Sequence, residues 1–162
     1  MPSPEPIIVT LSPEAEPLAM RIAGSIAAQV HRAAQEFDNT GSHLRALFSA
    51  GHPIVGICAS GILIRCLAPL VAAKDREPPV LAVAEDGSAI VPLLGGHSGA
   101  NDLARKIGHA LDRAPAITTA GDLALGVALD SPPPGWRLEP PPAAAIEPPR
   151  VFDTAESLLA AL

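Results

Sequence analysis

Eight prolines among the eighteen residues 132–149 confine any packed fold to roughly the first 130 residues of this 162-residue chain. Proline fixes φ and lacks an amide hydrogen, so such a stretch builds neither helix nor sheet and runs as an extended, polyproline-like arm. The expected organisation is a domain over 1–130, a Pro-rich linker over 131–150 and a short C-terminal helix over 151–162. Phe152, Leu158, Leu159 and Leu162 form the apolar side of that helix, which either pairs between chains as a homodimer or packs on its own domain.

Ahead of the arm, short apolar runs alternate with helical periodicity. Residues 7–11, IIVTL, read as a strand, and Ser12-Pro13-Glu14 as an N-cap, a proline at the first helical position and an acidic first turn. Leu18, Ile22 and Ile26 carry that helix to about Ala27, and Gln29-Val30-His31 forms a second strand. Thr40-Gly41-Ser42 opens a short helix whose Leu44, Leu47 and Phe48 share one face until Gly51 ends it. Residues 53–59 make a continuously apolar strand, Ser60-Gly61 a tight turn, and residues 62–71 an apolar helix, both layers reading as deeply buried.

A charged connector over 74–79 leads to two apolar runs, 80–84 and 89–93, around Asp86-Gly87, the dipeptide of a tight antiparallel hairpin. A glycine-rich loop, 95–99, then enters an amphipathic helix over 100–111, with Leu103, Ile107 and Leu111 inward. Residues 116–119 read as a last strand and 126–129 as a short extra one. This order specifies an α/β class: a layered α/β/α domain with a mainly parallel sheet and one antiparallel hairpin.

Composition narrows the function. With three Phe, one Trp and no Tyr, the core is aliphatic. A net charge of −6 without any Lys/Arg cluster argues against nucleic acid and anionic lipid as partners. Residues 1–6 lack the basic start and apolar run of a signal peptide, and no uncharged apolar stretch has the length of a membrane span, so the expected location is cytoplasmic, with no membrane association. Cys58 and Cys66 read as structural thiols. His31, His43, His52 and His109 show no ligand spacing along the chain, so no protein-bound metal and no cofactor is expected.

Three loops carry the chemistry. Gly95-Gly96-His97-Ser98-Gly99-Ala100-Asn101 combines glycines that admit close backbone approach with a helix N-terminus suited to carboxylate or phosphate. His97 stands at its mouth as an acid, base or donor; a tight turn with a capping histidine is the alternative. Ser60-Gly61 and Arg65 form a second candidate binding set, and Thr118 and Thr119 a third; plain core packing and turn capping are the alternatives there. In parallel sheets ligands bind beyond the carboxyl ends of the strands, where these three loops are expected to converge.

Gly56-Ile57-Cys58-Ala59, Gly61-Ile62-Leu63-Ile64-Arg65, Leu94-Gly95-Gly96-His97 and Ile117-Thr118-Thr119, in this order and spacing, resemble the N-terminal domain of the cobalt-precorrin-5A hydrolase family. The loop here is one glycine shorter than the family's common Gly-Gly-His-x-Gly-Gly-Ala-Asn, and is similar to the version fused ahead of precorrin-3B C17-methyltransferases. The resemblance implies a role in cobalamin (vitamin B12) biosynthesis: binding a carboxylate-rich tetrapyrrole, with cobalt carried by the substrate, and opening its δ-lactone with release of acetaldehyde. His97 would then be the catalytic group, and Ser60, Gly61, Arg65, Gly95, Gly96, Gly99, Asn101, Thr118 and Thr119 would bind the substrate. The other reading it implies is a non-catalytic module that binds the tetrapyrrole or docks on a precorrin methyltransferase.

Overall fold

The computed structural model describes residues 4–72 and 76–119. Residues 120–162, with the predicted strand at 126–129, the Pro-rich arm and the C-terminal helix, lie outside the described residues. Five strands form one sheet in the order β2-β1-β3-β4-β5: β1 Ile7–Thr10, β2 Gln29–Arg32, β3 Ile54–Ile57, β4 Val80–Val83 and β5 Ile90–Leu94. The first four are parallel and β5 is antiparallel to β4, as the hairpin signal requires. Asp86 closes that hairpin by accepting from the Ser88 amide at 2.9 Å, and hydrogen bonds from the Ser88 side chain and amide together hold its carboxyl below the usual range.

Among the described residues four helices cover the sheet: α1 Glu16–Ile26, α2 Thr40–Ser49, α3 Ser60–Leu67 and α4 Ala100–Leu111. Because strand side chains alternate, Ile8, Val55, Ile57, Leu81, Val83 and Ile90 pack under α1 and α4, while Ile7, Val9, Ile54, Val80 and Ala82 pack under α2 and α3. Register sets these residues in rows, with Ile7 beside Ile54 beside Val80 and Ile8 beside Val55 beside Leu81. The two resulting cores make the expected α/β/α layers. Among the described residues no helix is long and apolar enough to cross a membrane.

Several local expectations are corrected. Ser12 occupies an N-cap position, but its hydroxyl reaches across to Glu85 instead of capping. Ser60 and Gly61 are the first residues of α3 rather than a separate turn, because the helix starts directly after Ala59, whose carbonyl accepts from the Ile62 amide at 2.9 Å. That helix is not deeply buried: it is covered on one side only, with Leu63 and Leu67 inside and Ile64 56% exposed. Residues 116–119 are not a strand, since only the Ala116 amide bonds to the sheet, to Ile90 O at 2.8 Å.

The first helix ends on Ala27 in the left-handed region, φ 52° and ψ 53°, with the side chain exposed. An L-residue with a Cβ is strained there by about 1 kcal/mol or more relative to glycine. Ala27→Gly should therefore raise stability by about 1 kcal/mol in a urea-denaturation experiment, against the usual cost of adding a glycine.

Candidate functional site

The three candidate loops do not converge; they divide between the two ends of the sheet. The loops that follow β1, β3 and β4 gather at the carboxyl ends of the parallel strands, whereas β5 runs the other way and delivers its glycine loop to their amino ends. The reversal follows from the hairpin itself: pairing of Val80 with Leu94 puts Gly95 beside the start of β4.

At the carboxyl ends lies a cleft of about 820 Å³ lined by Leu11, Ser12, Cys58, Ser60, Glu85 and Asp86 among others. It sits where α1 leaves to one face and α3 to the other, the switch point at which open parallel sheets form crevices. Ser12 Oγ donates to Glu85 Oε1 at 3.1 Å, a contact between residues 73 apart in sequence that local patterning could not disclose. Arg65 turns back along α3, its Nη1 donating to Gly61 O at 2.8 Å, so its guanidinium meets a carbonyl of its own helix. Burial pushes the Cys58 thiol up to about 11. At pH 8 only about one molecule in a thousand would then carry the reactive thiolate. Native protein treated with iodoacetamide at that pH should leave Cys58 unmodified by peptide mass mapping.

At the amino ends the glycine loop is held in one shape. Gly95 and Gly99 both lie at positive φ, 73° and 96°, and a Cβ on Gly95 would stand 2.5 Å from Pro78 O, so only glycine fits against that backbone. Between them Gly96–Ser98 makes one 3-10 turn that spends several amides on itself: Ser98 and Ala100 donate to Gly95 O, and Gly99 to Gly96 O. Gly96, His97 and Ser98 form the exposed crest immediately before α4. Asn101, buried in the first turn of α4, donates from Nδ2 to Thr119 Oγ1 at 2.9 Å, which holds Thr119 at this end. Thus Gly95, Gly96, His97, Gly99, Asn101 and Thr119 come together, with Thr118 next to them in the chain, while Ser60 and Gly61 belong to the other end.

Leading up to this loop is a feature the sequence reading missed. An apolar groove of about 370 Å³ runs between α3 and β5, walled by Leu63, Ile64, Leu67, Val71, Leu93 and Leu94. Leu93 and Leu94 lead directly into Gly95, so the groove ends at the glycine turn. The signal was present as the apolar surplus of residues 62–71, read there as core.

A second missed contact lies at the β2 edge. His31 Nδ1 and His43 Nε2 stand 2.9 Å apart, a contact that their spacing along the chain does not disclose. Strand β2 and helix α2 bring them together across twelve residues, a spacing outside any local ligand pattern.

Residues 42–122 match the family described as Cobalamin synthesis G N-terminal. Over 88 residues the chain is 41% identical to the cobalt-precorrin-5A hydrolase of Salmonella typhimurium, covering 54% of this chain and 25% of that protein. It is 33% identical over 88 residues to the cobalt-precorrin-5A hydrolase of Priestia megaterium, covering 54% of this chain and 24% of that protein. The chain thus spans about a quarter of the length of these curated relatives. A solved structure of a cobalamin biosynthesis protein G homolog from Sulfolobus solfataricus shares the fold, with TM-score 0.57 at 24% identity over 70% of this chain and 36% of that one.

Proposed function

The chain belongs to the Cobalamin synthesis G N-terminal family, and from that premise we propose that it binds a carboxylate-rich precorrin along the α3–β5 groove and opens its δ-lactone at the glycine loop. The observation that carries this reading is the union of an apolar wall with an anion-compatible rim. A tetrapyrrole presents an apolar macrocycle face ringed by carboxylates. The groove offers Ile64, Leu67, Leu93 and Leu94 to the first, and the crest before α4 offers backbone dipoles to the second. The carboxyl-end cleft carries Glu85 and Asp86, which repel a polycarboxylate, whereas Asp102, the carboxylate in the first turn of α4, is paired with Arg105 at 2.8 Å.

In this reading His97 activates water for attack on the lactone carbonyl, and the Gly96 amide together with the dipole of the α4 N-terminus stabilises the oxyanion. The water proton passes to the imidazole and on to the departing alkoxide as the lactone C–O bond breaks; the freed alcohol then loses its O–H proton, its C–C bond to the macrocycle breaks with the electron pair left on the conjugated ring, and the two-carbon fragment leaves as acetaldehyde. Asn101 and Thr119 hold the base of the loop. The cobalt, when present, arrives with the substrate. A second reading is favoured by one observation, the quarter-length coverage of the curated relatives: the domain binds or hands over the tetrapyrrole without turning it over, or docks on a precorrin methyltransferase.

A visible-absorption titration with cobalt-precorrin-5A and with precorrin-3B, coupled to an acetaldehyde assay, separates these readings. Ile64→Glu places a carboxylate on an already exposed groove position and should weaken binding at least tenfold, about 1.4 kcal/mol. Ser60→Ala in the opposite cleft should leave binding unchanged. The reverse pattern would move the site to the carboxyl ends. His97→Ala should bind normally and lose acetaldehyde release by roughly two orders of magnitude or more; normal binding with no release by the parent chain would establish the non-catalytic reading.

A further inference from the structure

We propose that His31 and His43 form a two-imidazole binding site for a tetragonal divalent transition ion, Cu2+ or Ni2+, at the β2 edge of the sheet. His31 lies on β2 and pairs in register with Val9, whose side chain faces the α2 side, and His43 lies in the first turn of α2. Their nitrogens, Nδ1 and Nε2, are 2.9 Å apart. Two cis ligands of a square plane with metal–nitrogen bonds of about 2.0–2.1 Å stand about 2.8–3.0 Å apart, whereas tetrahedral positions are wider, so the spacing suits Cu2+ or Ni2+ better than Zn2+.

The rings are held from outside the pair. The His43 ring is stacked on Phe37, with centroids 4.3 Å apart and planes within 7°. The two imidazoles are tilted 47° with centroids 5.0 Å apart, and now share one hydrogen between facing nitrogens. Binding an ion requires the donating ring to carry its hydrogen on its outer nitrogen and the two rings to turn about their facing nitrogens, which keeps the 2.9 Å spacing while the lone pairs converge on the ion. The half-buried position permits that movement. Glu36 adds a nearby anion that interacts with both rings and is itself held by the Arg32 amide at 2.7 Å. No third His, Cys, Asp or Glu among the described residues completes a cage, so water fills the remaining positions.

The test is isothermal titration of the full chain with NiCl2 and with CuCl2. We expect one saturable equivalent. His31→Gln and His43→Gln, checked for folding by thermal melts, should each bind at least tenfold more weakly, the loss of a ligand costing no less than the loss of a supporting residue. His52→Gln and His97→Gln should bind as the parent does. In NMR spectra of the histidine rings, substoichiometric Cu2+ should broaden the His31 and His43 signals first. Absence of a saturable equivalent, unchanged affinity in the His31 and His43 variants, or broadening that begins at other histidines would each overturn the site and leave a hydrogen-bonded pair only. Because the pair lies on β2 and α2 rather than in the groove, its failure would not touch the precorrin reading, nor the reverse.

Discussion

Gly95→Ala is expected to destabilise the domain by roughly 3 kcal/mol, lowering Tm by roughly 10–15 °C. Two costs add. The left-handed conformation, φ 73°, costs an alanine about 1–2 kcal/mol. The new methyl would also stand 2.5 Å from Pro78 O and 2.7 Å from Pro79 N, backbone atoms that cannot rotate aside. Gly99→Ala is the matched control: φ is 96°, but nothing lies within 4 Å of the added Cβ, so only the conformational cost applies. Thermal melts should rank Gly95→Ala well below Gly99→Ala. Equal losses would mean that the loop is not locked against the 78–79 segment, and the fixed crest assigned to substrate would lose its basis.

Leu81→Ala should cost about 3 kcal/mol, within the range of 2–5 for large-to-small changes in cores. Leu81 is fully buried at 0% exposure on the interior strand β4 and belongs to the core beneath α1 and α4. A β-strand backbone bonded on both sides cannot collapse into the vacated space, so the cavity penalty adds to the lost transfer energy. Against a typical total of about 5–15 kcal/mol this removes a large share of stability. Val71→Ala, at a position 42% exposed, should change stability by less than about 0.5 kcal/mol. Urea midpoints for the pair test the assignment; similar midpoints would contradict a core centred on β4.

Much of the fold is legible in short runs of residues. Ile7–Thr10, Ile54–Ile57 and Val80–Val83 declare themselves as strands because a parallel strand covered on both faces has no solvent side to mark with polar residues. The Ala100–Leu111 helix declares itself by its polar stripe, and Asp86-Gly87 by the left-handed turn it permits. The helix Ser60–Leu67 misleads in the opposite direction. Its apolar run signals burial, but Ile64 and the following Val71 face a groove, and sequence alone cannot separate an apolar residue that is covered from one that awaits a ligand or partner.

The alternation of elements, the antiparallel β5, the aliphatic core and the identity of the glycine loop follow from short stretches of chain, since each depends on the conformational and hydrophobic preferences of neighbouring residues. Only the tertiary structure decided which of these meet. It sends Gly95–Gly99 to the amino ends and Ser60 to the carboxyl ends, brings Ser12 to Glu85, and sets His31 against His43. Such distances follow from strand order and direction, which arise when the whole sheet buries its two faces at once, and no local window of sequence contains that sum.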